Sequence, residues 1–177
     1  LLAIKITLIL SSAETVGLIV IMRPLNQMLF QTPDGTFVLQ LFMPAVFLSS
    51  LIIMLSSILQ GFGKIIVPAV GVGIGLVVKW IAGSILIPPY ATVGASISTC
   101  IGLVVILLIC YASLKQTIRV PFVEKNMLFR LVAALILMAI VPCLIEWLAP
   151  FETRLGSAFQ AIISALIGGG IFLVFAL

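Results

Sequence analysis

Polar positions along the chain are gathered into short clusters, and the stretches between them are almost wholly apolar. A helix needs about 20 apolar residues to cross the hydrocarbon core of a bilayer, and six stretches reach that length. The first predicted span runs from about Leu8 to Phe30, with room for an earlier start, and carries Glu14, Arg23 and Pro24. The turn-forming run Gln31-Thr32-Pro33-Asp34-Gly35 ends it. The second, about Phe37 to Leu59, holds no charge, and the link Gln60-Gly61-Phe62-Gly63-Lys64 leads into the third, about Ile65 to Ile87. Pro88-Pro89-Tyr90 is expected to break that helix before the fourth, about Val93 to Leu114. A polar stretch, Lys115 to Asn126, precedes a fifth span at about Met127 to Leu148. The link Ala149 to Ser157 precedes the sixth, about Ala158 to Leu177. Short links make successive helices antiparallel neighbours, and a lipid-facing backbone must bond internally. The pattern therefore predicts an all-α integral membrane protein, a bundle of about six transmembrane helices. It divides into four core helices (1–114), a basic loop (115–126) and two further helices (127–177).

Composition agrees, with 63% hydrophobic and 8% charged residues and a mean hydropathy of +1.44. Soluble domains carry roughly a quarter charged residues, so the solvent for these side chains is lipid. The net charge of +4 is then a topology signal and not a sign of nucleic acid. With a cytoplasmic amino end, the inner side holds Lys5, Lys64, Lys115, Arg119, Lys125 and Arg130, and the outer side only Arg23 and Arg154, beside Asp34 and Glu152. That asymmetry predicts both termini on the cytoplasmic side. The basic loop either fixes this topology or touches anionic headgroups of the membrane lipids. The first residue falls inside an apolar run with no initiator Met, which reads as a cut through a longer protein.

Few residues could carry chemistry. Lys79 lies inside the third span, about 12 Å from its outer end at 1.5 Å per residue, where a charge costs about 2.5–3.5 kcal/mol. It either faces a wet cavity, where it could attract a phosphate, or snorkels or pairs structurally. Gly71, Gly75 and Gly83 lie around it on a slowly drifting helical face and suit close helix packing. Glu14 shares a predicted polar stripe with Thr7 and Ser11, and either binds a coupling cation, pairs with a lysine, or is the structural partner of a helix outside this segment. Gly71-Val72-Gly73-Ile74-Gly75 is no nucleotide loop, because no strand precedes it. Ser96, Ser98 and Thr99 are expected to bond backbone carbonyls or neighbouring helices. Cys100, Cys110 and Cys143 fall in apolar stretches and read as small hydrophobes. No histidine is present and Asp34 is the sole aspartate, so histidine-dependent and aspartic-dyad hydrolysis find no residues here. Neither an enzyme nor a cofactor or metal is expected.

A set of short motifs occurs in order. Gly17-Leu18-Ile19-Val20, Arg23-Pro24-Leu25-Asn26 and Leu29-Phe30 resemble the ninth helix of the multidrug/oligosaccharidyl-lipid/polysaccharide exporter superfamily. Ile58-Leu59-Gln60-Gly61-Phe62-Gly63-Lys64 is similar to the link that follows its tenth helix. Pro68, Gly75, Val78-Lys79 and Leu86-Ile87-Pro88 resemble its eleventh helix, and Gly94-Ala95-Ser96-Ile97-Ser98-Thr99 the opening of the twelfth. The nearest group is the polysaccharide biosynthesis proteins of the stage V sporulation protein B type and the MurJ-type lipid II flippases. The resemblance implies helices nine to fourteen of a fourteen-helix protein, one lobe of a two-lobe machine working by alternating access. Its cargo would be an undecaprenyl-pyrophosphate-linked saccharide such as lipid II, and its partners the amino-terminal lobe and, in a further reading, cell-wall synthases. It also implies that 127–177 borders a hydrophobic groove for the lipid tail. Of the candidate cations, only Lys79 is carried over by a motif. A drug/cation antiporter of the same superfamily and a non-transporting scaffold for cell-wall synthesis are the competing readings, and the two helices beyond twelve disfavour the antiporter.

Overall fold

The structure is a computed structural model that describes residues 2–30, 35–117 and 170. Three long apolar helices make up nearly all of it: α1 (Leu2–Phe30), α2 (Thr36–Gly61) and α3 (Ile66–Thr117). Each is long and apolar enough to cross a membrane, and no strand occurs among the described residues. The first two helices correspond to the first two predicted spans. The fifth and sixth predicted spans, and most of the loop before them, lie outside the described residues.

The third helix corrects one expectation. Its 52 residues would measure about 78 Å if straight, more than twice a hydrocarbon core. Instead the backbone leaves the helical region at Ala91, with φ 46° and ψ −121°. The break therefore falls at Ala91, and helical geometry continues through Pro88 and Pro89. Contacts across the break run in opposite senses along the two arms. Gly94 abuts Leu86, Gly83 faces Ser98, Gly75 meets Gly102 and Ile106, and Gly71 meets Ile109 and Cys110. Such a descending register is that of an antiparallel helical hairpin, with arms 66–90 and 92–117. At its open end Lys64 Nζ donates to Thr117 Oγ1 at 2.8 Å, and the helix runs three residues past the predicted Leu114 to Thr117.

The link from α2 into this hairpin is closed by backbone bonds. Gly63 N–H donates to Gln60 O and Lys64 N–H to Leu59 O, both at 2.9 Å. That pair is a Schellman cap, which needs a left-handed residue after the helix. Gly63 supplies it with φ 76°. The carbonyls of Ile58, Leu59 and Gln60 at the end of α2 are thus satisfied by backbone N–H groups.

The Cα packing forms two compact units. In the first, which holds Leu41–Phe122 and the start of α1, α2 lies against the second arm of α3. Ile52, Leu55 and Leu59 interdigitate there with Ile106, Cys110 and Leu114, and Met54, Leu103 and Leu107 pack around them. The spacing puts each trio on one helical face. In the second unit, the described part of Ser12–Gln40 joins the end of α1 to the start of α2 through two polar bonds. Asn26 Nδ2 donates to Thr36 Oγ1 and Gln40 Nε2 to Ile19 O, both at 2.9 Å. Pro24 has no N–H, so the carbonyl of Val20 lacks its usual helical donor. Gln40 reaches the adjacent carbonyl and holds α1 beside that defect.

Candidate functional site

The arms of α3 meet along small residues and then part to leave a groove on one side. Gly71, Gly75 and Gly83 are buried on the first arm, and Gly94, Ser98 and Gly102 on the second. A Cβ on Gly94 would run into the backbone of Leu86. One on Gly102 would lie 2.8 Å from the Cβ of Lys79 and 2.9 Å from the carbonyl of Gly75. Without side chains at those points the backbones approach closely, which suits a membrane interface built on van der Waals contact.

Lys79 starts in this seam and ends outside it. Its Cβ rests on Gly102, while the residue as a whole is exposed and lines a groove of about 640 Å³ between the arms. Trp80, Ser84, Ser98 and Thr99 share the lining. No acidic side chain stands among the described residues that line it. The hydroxyls are turned to their own helices: Ser84 Oγ donates to Trp80 O at 2.8 Å, Thr99 Oγ1 to Ala95 O at 2.8 Å and Ser98 Oγ to Ala95 O at 3.0 Å. Their protons are committed, so Lys79 is the one cationic donor the groove offers among the described residues.

Glu14 lies elsewhere. It is exposed on α1, whereas Ser11 and Thr15 are buried, and Ser11 Oγ donates to Thr7 O. The stripe expected of Thr7, Ser11 and Glu14 is therefore divided: Ser11 is buried and bonded within the helix, Thr7 is half-buried and the carboxylate is outward. Glu14 belongs to the second unit and Lys79 to the first. Arg23 is exposed near the end of α1.

Several residues escape the sequence reading. Gly102 seats Lys79, Asn26 is only 2% exposed, and Gln40 holds α1. Asn26 and Gln40 could have been found as polar side chains inside apolar spans, which need a partner there. Gly102 gave no signal beyond its spacing of eight from Gly94. Cys110, fully buried, sits 3.9 Å from Ser56 Oγ and packs as a small hydrophobe.

No family model matches the chain. Over 174 residues, 97% of its length, the chain is 30% identical to the uncharacterized membrane protein YabM of Bacillus subtilis (strain 168). It spans 33% of that protein's length. Together with three apolar helices of membrane-spanning length, this similarity makes the chain a membrane-embedded helical protein.

Proposed function

We propose that the chain is the carboxy-terminal lobe of a flippase that carries a lipid-linked saccharide across the bacterial plasma membrane by alternating access. Lipid II or a related undecaprenyl-pyrophosphate oligosaccharide is the cargo, moved for cell-wall or polysaccharide synthesis. The observation that carries this reading is the ordered motif set of residues 17–114, whose Lys79 lies in a groove with no counter-charge among its described lining residues. A bundle that merely scaffolds other proteins has no use for a cation at this depth, which costs about 2.5–3.5 kcal/mol to insert. The similarity to one third of a larger membrane protein fits a lobe that works with a further lobe.

The test is restoration of lipid II translocation in flippase-depleted cells by the natural full-length protein. Normal insertion without restored translocation refutes this cargo. The 177 residues expressed alone should insert but not transport, because alternating access needs two lobes. Both termini of the segment are proposed to be cytoplasmic. In a variant lacking the native cysteines, a single cysteine at Thr36 should react with an impermeant reagent added outside, and one at Gln116 should not. Reaction at Gln116 alone reverses the topology.

A further inference from the structure

The exposed surface of the first arm of α3 is two-sided. Val70, Ile74, Val77, Ile81 and Ile85 recur at intervals of three or four and are all at least 44% exposed. They form one branched aliphatic stripe suited to lipid. Ser84 and Trp80 border this stripe and Lys79 lies farther around the helix, and all three line the groove. Trp80 is 75% exposed, so its ring stands free beside the lysine instead of filling the seam.

Depth narrows what can occupy the groove. Eleven residues separate Lys79 from Tyr90 at the hairpin tip, about 16 Å along the helix. With Tyr90 at the edge of a hydrocarbon core about 30 Å thick, Lys79 would lie near its middle. Headgroups of resident phospholipids stay at the surface and do not reach it. The groove opens at the flank of the hairpin, so an anionic head can enter while its hydrocarbon tail stays in the bilayer.

We propose that this groove binds the phosphate head of an isoprenoid lipid entering from the side, with Lys79 on the phosphate and Trp80 against the first sugar ring. The assignment rests on the flippase reading for the class of lipid and adds the site and the division of labour within it. An ammonium gives a phosphate oxygen a charge-assisted hydrogen bond that a dry site strengthens. An exposed indole offers the apolar face of a sugar a flat surface, and its N–H a donor to a sugar hydroxyl. A volume of about 640 Å³ lies within the range of small-ligand sites.

The test uses the natural full-length protein in nanodiscs of zwitterionic lipid, with undecaprenyl pyrophosphate, lipid II and inorganic pyrophosphate as probes. Lys79→Met, which keeps the stem packed on Gly102, should weaken both lipids about tenfold or more, and Lys79→Arg should recover part of that. Trp80→Ala should weaken lipid II several-fold and leave undecaprenyl pyrophosphate unchanged, with Trp80→Phe intermediate. Ser84→Asp, at an exposed position, places a carboxylate in the groove and should depress both affinities without touching Lys79. It therefore carries the test if Lys79→Met does not fold. Unchanged lipid affinities in Lys79→Met and Ser84→Asp overturn the site. Equal loss of both lipids in Trp80→Ala overturns the sugar contact. Displacement of lipid by equimolar inorganic pyrophosphate makes this a free-anion site and also overturns the proposal. Failure of the wild-type protein to bind lipid II at all removes the flippase reading itself, whereas lipid II binding indifferent to these variants removes the groove alone.

Discussion

The second arm of α3 is held on two sides by two different kinds of surface. Toward α2 it presents Ile106, Cys110 and Leu114, which interlock with Ile52, Leu55 and Leu59. Toward the first arm it presents Gly94, Ser98 and Gly102, with Ile106, Ile109 and Cys110 continuing the contact over Gly75 and Gly71, and the approach is backbone on backbone at Gly94. An aliphatic surface can be repacked, because its neighbours have rotamers to change. At Gly94 the seam has no such freedom, since what lies opposite is the backbone of Leu86 and Ile87. The difference explains where Lys79 can stand. Its stem uses the space that Gly102 leaves open, and its charge lies beyond the seam on the arm with fewer neighbours. Among the described residues the second arm holds most of the aliphatic core, and the first arm carries the candidate chemistry.

Truncation on the aliphatic side should cost most. Leu59 is fully buried, and Leu59→Ala should lower unfolding stability in mixed micelles by about 3 kcal/mol through the cavity it leaves. On the seam the harmful change is addition. Gly94→Ala drives a methyl into the Leu86 backbone and should cost about 2 kcal/mol. Leu59→Ala should leave the groove able to bind, while Gly94→Ala should splay the arms and lose binding as well. Equal damage to binding from both would dissolve the distinction between the two surfaces. A smaller effect is expected at the open end of the hairpin. Lys64→Met removes the bond to Thr117 Oγ1 and should cost about 1 kcal/mol, with hydrogen exchange rising at the base of both arms. Exchange that rises throughout the hairpin would mean the clasp holds more than its end.

How much of this could be read from the sequence follows from the same contrast. Span lengths are set by bilayer thickness, so α1, α2 and the two arms of α3 were legible from hydropathy alone. The link at 60–64 was legible, but which of its two glycines takes the left-handed position that caps α2 was not. The break near Pro88-Pro89 was legible as a break, but its position at Ala91 was not. Prolines restrict the residues before them and leave several later positions open to the turn. Lys79 was legible because a charge in an apolar run is costly wherever its side chain points. Which groups surround it depends on the register of the two arms, and register is a property of pairs that neither arm encodes separately. For that reason Gly102, Trp80 and the groove emerge only from the structure. The divided stripe of Thr7, Ser11 and Glu14 has a similar cause. Spacing placed them together, and the neighbours of α1 decided which were buried.

The smallest expected effect tests the seam most directly, since it compares two glycines two residues apart on one helix. Gly75 faces the second arm, where an added Cβ would overlap Ile106 and lie 2.9 Å from the carbonyl of Gly102. Gly73 is exposed, and an added Cβ there meets nothing within 4 Å. Both sit in the helix interior, where alanine is favoured over glycine by up to about 1 kcal/mol. At Gly73 that preference acts unopposed, so Gly73→Ala should raise the unfolding midpoint slightly and leave lipid binding unchanged. At Gly75 the same preference is outweighed by the overlap, and the midpoint should fall. A double variant should show no coupling, because the two added methyls point to different surroundings. If Gly73→Ala destabilises as much as Gly75→Ala, the face bearing Gly73 is packed against a neighbour, and the first arm has two packed sides like the second.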